Sequence, residues 1–276
     1  MHIWTGRGMK LTPGLTLVSM ALGCSSSFPP LSPAVESRLY IETHLSDVPR
    51  GVATASDAVV RVITHGGFCS GALISDSLVV TAQHCVTESQ SFYAPGDVRV
   101  ELGGQYLPWG RDGVTRVLPC PGPVEDAGHD VAVLVLAQPV PDDVPRLSIR
   151  RRGAPREQEP VRVIGFGTGS AHFELPGTDR WAMQSMRTHR DGKTGAVLTD
   201  RFFTDASADR GDSGGPVTSL ETGELLGVTS RLMEGDWASG RPGVSLAARI
   251  DGCVATIDLA QHIAHGDLVR RPRHRP

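Results

Sequence analysis

The sequence predicts an all-β protein, in which two blocks of short strands are joined by a surface connection and followed by one C-terminal helix. Length is the first observation behind this, since 276 residues suit one large domain or two small ones. Punctuation is the second. Glycine (32) and proline (20) recur along the whole chain, and stretches of 3.6-residue apolar period are scarce, which favours tight turns over a helical bundle. Third, short apolar runs follow one another in two similar sets. A pair of packed β-barrels suits this pattern, and a pair of β-sandwiches matches the periodicity as well.

In the first block, strand-like runs fall at 58–63, 71–82 and 98–102. The run 131–136 is apolar throughout, as expected of a strand buried on both faces. Residues 139–160, proline-rich and charged, read as a connection over the surface. The second block contributes runs at 161–164, 196–198, 225–228 and 244–250. Residues 254–263 are the best helix candidate, with Val254, Ile257 and Ile263 near one face, and the helix is placed at 253–265. Residues 266–276 form a basic, proline-bearing tail that is expected to be disordered.

The other end reads as a targeting segment. Arg7 and Lys10 precede an apolar stretch, 11–22, that is too short to span a bilayer. It ends at Ala21-Leu22-Gly23-Cys24, which resembles the lipobox of bacterial lipoproteins. That resemblance implies a signal peptide at 1–23 and a lipid anchor on the Cys24 thiol; an ordinary secretory signal is the alternative. Residues 24–50 then form a serine- and proline-rich tether. Five cysteines are an odd number for an oxidising compartment. With Cys24 lipidated, Cys69, Cys85, Cys120 and Cys253 remain, and three pairings are open. The formal net charge of -3 provides no field for nucleic acid or for an anionic membrane surface.

Three motifs carry the chemistry. Thr81-Ala82-Gln83-His84-Cys85 follows Cys69-Ser70-Gly71-Ala72-Leu73; next comes His129-Asp130-Val131-Ala132-Val133-Leu134; last is Gly211-Asp212-Ser213-Gly214-Gly215-Pro216. A serine hydroxyl needs a base to take its proton during attack, and an imidazole titrates in the right range to do so. A carboxylate on the other ring nitrogen fixes the tautomer. Zinc held by His65, Cys69, His84 and Cys85 is the rival reading, and adjacent ligands at 84 and 85 are not the usual spacing.

In this order, and with Gly165-Phe166-Gly167 between, the motifs resemble the trypsin/chymotrypsin family from about 57 to 263. The resemblance implies two six-stranded antiparallel barrels (about 51–150 and 151–252) and a C-terminal helix, within a peptidase domain at 51–265. It further implies His84 as general base, Asp130 as orienting carboxylate and Ser213 as nucleophile. The N–H groups of Gly211 and Ser213 would form the oxyanion hole, and a Cys69–Cys85 disulfide would brace the histidine. Cys120 and Cys253 have no family counterpart. Ser207 would floor the primary pocket, with Ser230, Leu232 and Gly243 along its walls. An uncharged floor and a leucine at the neck imply small or medium apolar side chains at P1.

Polypeptides are the expected substrates of a monomer that needs no metal or cofactor. An esterase using the same site, or a fold kept as a binding module, are the competing functions. One departure stands out. In the family, proteolysis frees an Ile-Val-Gly-Gly-like start, whose amine pairs with the aspartate preceding the nucleophile, here Asp212. No such start stands between Thr43 and Thr54, and Arg50-Gly51 is only a weak candidate bond. Either Asp212 is therefore expected to find another partner, or the enzyme to need no zymogen cleavage; without any partner for Asp212 the oxyanion hole would be misformed.

Overall fold

A computed structural model describes residues 55–65, 67–102, 110–123, 126–167, 187–233 and 243–270. The expected signal segment, the tether, Cys24 and residues 271–276 lie outside the described residues.

The first block contains β1 (Val59–Thr64), β2 (Gly67–Leu73), β3 (Leu78–Thr81), the two-residue hairpin β4 (Thr87–Glu88) and β5 (Ser91–Phe92), β6 (Arg99–Leu102), β7 (Gly110–Pro119) and β8 (Ala132–Leu136). Strands β1-β2-β3-β8-β7-β6 pair in that order into a closed barrel. The run expected at 71–82 is two strands rather than one. Ile74 N–H donates to Leu78 O across a turn (3.0 Å), and the Ser77 N–H is taken by Ser75 Oγ. No apolar run marks β7, because its buried positions are filled by Gly110, Asp112 and Val114 among exposed and half-buried charges.

The second block contains β9 (Pro160–Gly165), β10 (Thr188–Val197), β11 (Arg201–Thr204), β12 (Pro216–Ser219), β13 (Leu225–Met233) and β14 (Val244–Arg249), and closes as β10-β11-β14-β13-β12-β9. Both sheets close on themselves, so the fold is two six-stranded antiparallel barrels and the sandwich alternative is excluded. Val161, Val163, Phe202, Val217, Leu226 and Ala247 fill the second barrel.

The helix α1 (Val254–Arg270) runs five residues past its expected end, because Gly266 takes no left-handed φ and does not stop it. Its buried stripe is not the expected one either. Cys253, Ile257, Ala260 and Ala264 face the core, while Val254 and Ile263 are half-exposed. Two alanines at this spacing let the helix lie close against β8, whose five residues are all buried. Cys120, just after β7, is bonded to Cys253 at the foot of the helix.

The connection 137–159 is more than a surface strap. Val140, Val144 and Leu147 are buried, and Leu147 N–H donates to Leu73 O of the first barrel. Two residues later Ile149 bridges Leu225 of the second. Its last acid, Glu159, is buried and accepts from both ends of the Arg150 guanidinium (2.8 and 3.0 Å) and from the Arg156 N–H. Burial pushes its carboxyl up, but these donors outweigh the penalty and hold it at about 2.

Candidate active site

Topology brings His84 to Asp130. Strand β3 pairs with β8 so that Thr81 sits opposite Ala132. His84 lies three residues beyond one member of this pair, and Asp130 two residues before the other. The chain turns after β3 through a short 3-10 segment, Gln83–Val86, held back to β2 by the Cys69–Cys85 disulfide. Asp130 is 2% exposed and engages three donors. Its Oδ1 accepts the His84 main-chain N–H (2.8 Å), while Oδ2 accepts from His84 Nδ1 (2.7 Å) and from Ser230 Oγ (2.5 Å). With Nδ1 bound to an anion, the ring carries its proton there and presents Nε2 as a lone pair. The histidine side chain is 41% exposed, so that face is open to a reactant.

Ser213 stands on the turn 209–215 ahead of β12. The turn is closed by Asp212 N–H to Asp209 O (3.0 Å) and Gly215 N–H to Asp212 O (2.8 Å). It is also pinned to both barrels: Gly214 N–H donates to Thr229 O (2.7 Å), and Ser213 O accepts from Ser70 N–H (2.8 Å). At Gly214 φ is +78°, and a Cβ there would lie 2.2 Å from Thr81 Oγ1 and 2.7 Å from Ala82 N. The nucleophile turn is thus pressed against the strand end that leads to His84. Among the described residues the Ser213 hydroxyl is hydrogen-bonded neither to His84 nor to any other group. The Gly211 and Ser213 N–H groups likewise have no acceptor among them, although the N–H groups of Asp212, Gly214 and Gly215 do. Two free N–H donors beside a hydroxyl are groups of the kind that can hold a negative oxygen.

Ser207, expected at the pocket floor, is exposed. Leu232 is 41% exposed near the end of β13 and pairs with Ser245 on β14, which Gly243 immediately precedes. The Ser230 hydroxyl is turned to Asp130, which leaves its main chain to flank a substrate. Three residues were missed by sequence reasoning. Ser245 braces the loop around Ser207, with its Oγ donating to Ala206 O and accepting from Ala208 N–H. Ser70 carries the Gly211 carbonyl on its Oγ (2.7 Å) and could have been suspected from its place between Cys69 and Gly71. Arg190 reaches Asp212, and nothing in its surroundings along the chain marks it.

The zinc reading meets a chemical obstacle. Cys69 and Cys85 are bonded to each other and offer no thiolate, and His65 faces Asp97 (3.3 Å). His129 stands apart from the triad geometry, 3.9 Å from the carboxylates of both Asp126 and Asp200. Arg201 is bound to those same two acids, and its hydrogen bond holds the Asp200 carboxyl below the usual range.

The family model described as Trypsin matches residues 50–251. A trypsin of Sarcophaga bullata is 28% identical over 216 residues, covering 72% of this chain and 76% of that protein. Among solved structures, a Glu endopeptidase superposes with a TM-score of 0.60 at 16% identity (77% of this chain, 93% of the other). Neuropsin of mouse brain does so with 0.58 at 18% (77% and 97%). An inactivated protease paralogue of the scabies mite gives 0.59 at 21% (73% and 93%).

Proposed function

This chain belongs to the trypsin family and is a serine-type endopeptidase, and we propose that Ser213, His84 and Asp130 carry out its peptide hydrolysis. Ser213 Oγ has to meet His84 Nε2 for this, a contact that commonly tightens only when substrate binds. The ring takes the hydroxyl proton as Oγ attacks the carbonyl carbon, and the N–H groups of Gly211 and Ser213 bind the resulting oxyanion. His84 then delivers the proton to the leaving amine. Water, deprotonated by the same ring, releases the acyl group from Ser213. Asp130 remains ionised throughout and holds the imidazolium between steps.

The observation that carries this reading is the three-donor grip on Asp130, which orients His84 from both its main chain and its ring. The scabies mite paralogue, inactivated on the same fold, makes the site and not the fold the deciding evidence. A fluorophosphonate probe tests it, and should label wild type and spare Ser213→Ala. Folded wild type that resists labelling points to a binding module; labelling with ester but not peptide turnover points to an esterase.

Ser207 supports an uncharged pocket floor. The nearby acids are engaged elsewhere: Asp205 accepts from the Lys193 N–H (2.6 Å), and Asp209 from the Arg210 N–H (2.7 Å). A non-basic P1 residue of small or medium apolar shape follows, and a clear Arg or Lys preference in peptide-library profiling overturns it. Two disulfides support an extracytoplasmic location. The Cys24 lipobox supports a bacterial lipoprotein with polypeptide partners, acting as a monomer; mass spectrometry of the mature N-terminus, showing or lacking a diacylglyceryl group, tests the anchor.

A further inference from the structure

We propose that Arg190 does within this chain what a released N-terminal amine does in family members activated by cleavage, so that the oxyanion turn is assembled without proteolysis. The proposal rests on the hydrolase reading and concerns how its site is held. Asp212 lies between the two residues whose N–H groups form the oxyanion hole, and its side chain is fully buried. A carboxylate in that position must be compensated or it will not stay charged. Here both oxygens are taken. Oδ2 accepts from Arg190 Nη1 (2.5 Å) and from the Asp209 N–H (2.8 Å), and Oδ1 accepts from the Gly167 N–H (2.7 Å).

The cation is itself a fixed part of the second barrel. Arg190 sits in β10, and the same Nη1 also donates to Thr188 Oγ1 (2.9 Å), two residues earlier on the same face. Among the described residues, Asp212 is its only carboxylate partner. The carboxylate is also enclosed from the far side. A Cβ at Gly165 would stand 2.3 Å from Oδ1, and one at Gly167 2.5 Å from Oδ2. Among the described residues, two glycines at close approach, a strand-borne guanidinium and two main-chain N–H groups take up the surroundings of this acid. The Asp209 bond carries the effect to the site, because it closes the turn on which Gly211 and Ser213 present their N–H groups. Arg190 touches no substrate, so it is a positioning residue.

The experiment compares fluorophosphonate labelling rates and melting temperatures for the full chain, its Arg190→Gln and Arg190→Lys variants, and wild type whose amino groups have been acetylated. Acetylation neutralises any N-terminal amine and leaves a guanidinium untouched. Wild type should keep its labelling rate after acetylation. Arg190→Gln should lose about 10²–10³ in rate, the effect of misplacing an oxyanion donor, and Arg190→Lys should recover a large part of it. Wild type silenced by acetylation, or Arg190→Gln labelled at the wild-type rate, overturns the proposal while leaving the hydrolase reading intact. Should Arg190→Gln not fold, the lysine variant and the acetylated wild type decide. Folded wild type that is never labelled removes the hydrolase reading, and this proposal with it.

Discussion

Asp130 and Asp212 are both buried carboxylates that accept several hydrogen bonds, yet they are partnered in opposite ways. Asp130 faces an imidazole, a ring able to exchange a proton on its other nitrogen, and that side stands open. Asp212 faces a guanidinium, which never loses its proton, in a pocket closed by two glycines. On the mechanism proposed above, one acid serves a group that changes state, whereas the other secures a turn that must not. The difference shows why charge pairs of similar geometry should respond differently to the same amputation: the first chiefly in rate, the second in fold as well as in rate.

Asp130→Asn should cut kcat by about 10⁴ with little change in melting temperature, since the wrong tautomer of His84 is then favoured. Steady-state kinetics beside a thermal melt reads both halves. Asp212→Asn should instead destabilise by about 3 kcal/mol, because it leaves Arg190 largely buried without its partner. Equal melts for the two variants would erase the distinction drawn above. Glu159 provides a remote control, a buried acid gripped by arginine but far along the chain from the motifs. Its carboxyl is depressed to about 2, so its contribution is complete above its ordinary value near 4.5 and is lost as pH falls toward 2. Glu159→Gln should remove on the order of 3 kcal/mol at neutral pH and less at pH 3, as read by urea melts at both values, without changing the labelling rate. The smallest effect is expected for Ser230→Ala. Removing one donor of three from Asp130 should cost less than about 1 kcal/mol of stability and far less in rate than Asp130→Asn.

The candidate triad could be named from the sequence because its chemistry demands particular residue types in short local patterns, such as Thr81-Ala82-Gln83-His84-Cys85 and Gly211-Asp212-Ser213-Gly214-Gly215. The double-barrel class was legible from turn punctuation together with that resemblance. What escaped was whatever depends on register. Strand β10 alternates Thr188, Arg190 and Gly192 with His189, Asp191 and Lys193, so no hydrophobic period betrays it, yet that strand carries the cation for Asp212. Ser230 was read from its position beside the substrate, but which way its hydroxyl turns depends on how β13 meets the first barrel. The helix face was misjudged because large residues were weighted over alanines, whereas close packing against β8 favours the small ones.

The bond between Cys120 and Cys253 joins positions 133 apart. Everything between them, including Asp130, the interbarrel strap and Ser213, belongs to one covalent ring. A peptidase is surrounded by copies of itself, and a single nick anywhere in that ring leaves both pieces attached. His84 and Ser213 would then migrate as one species until a reductant is added.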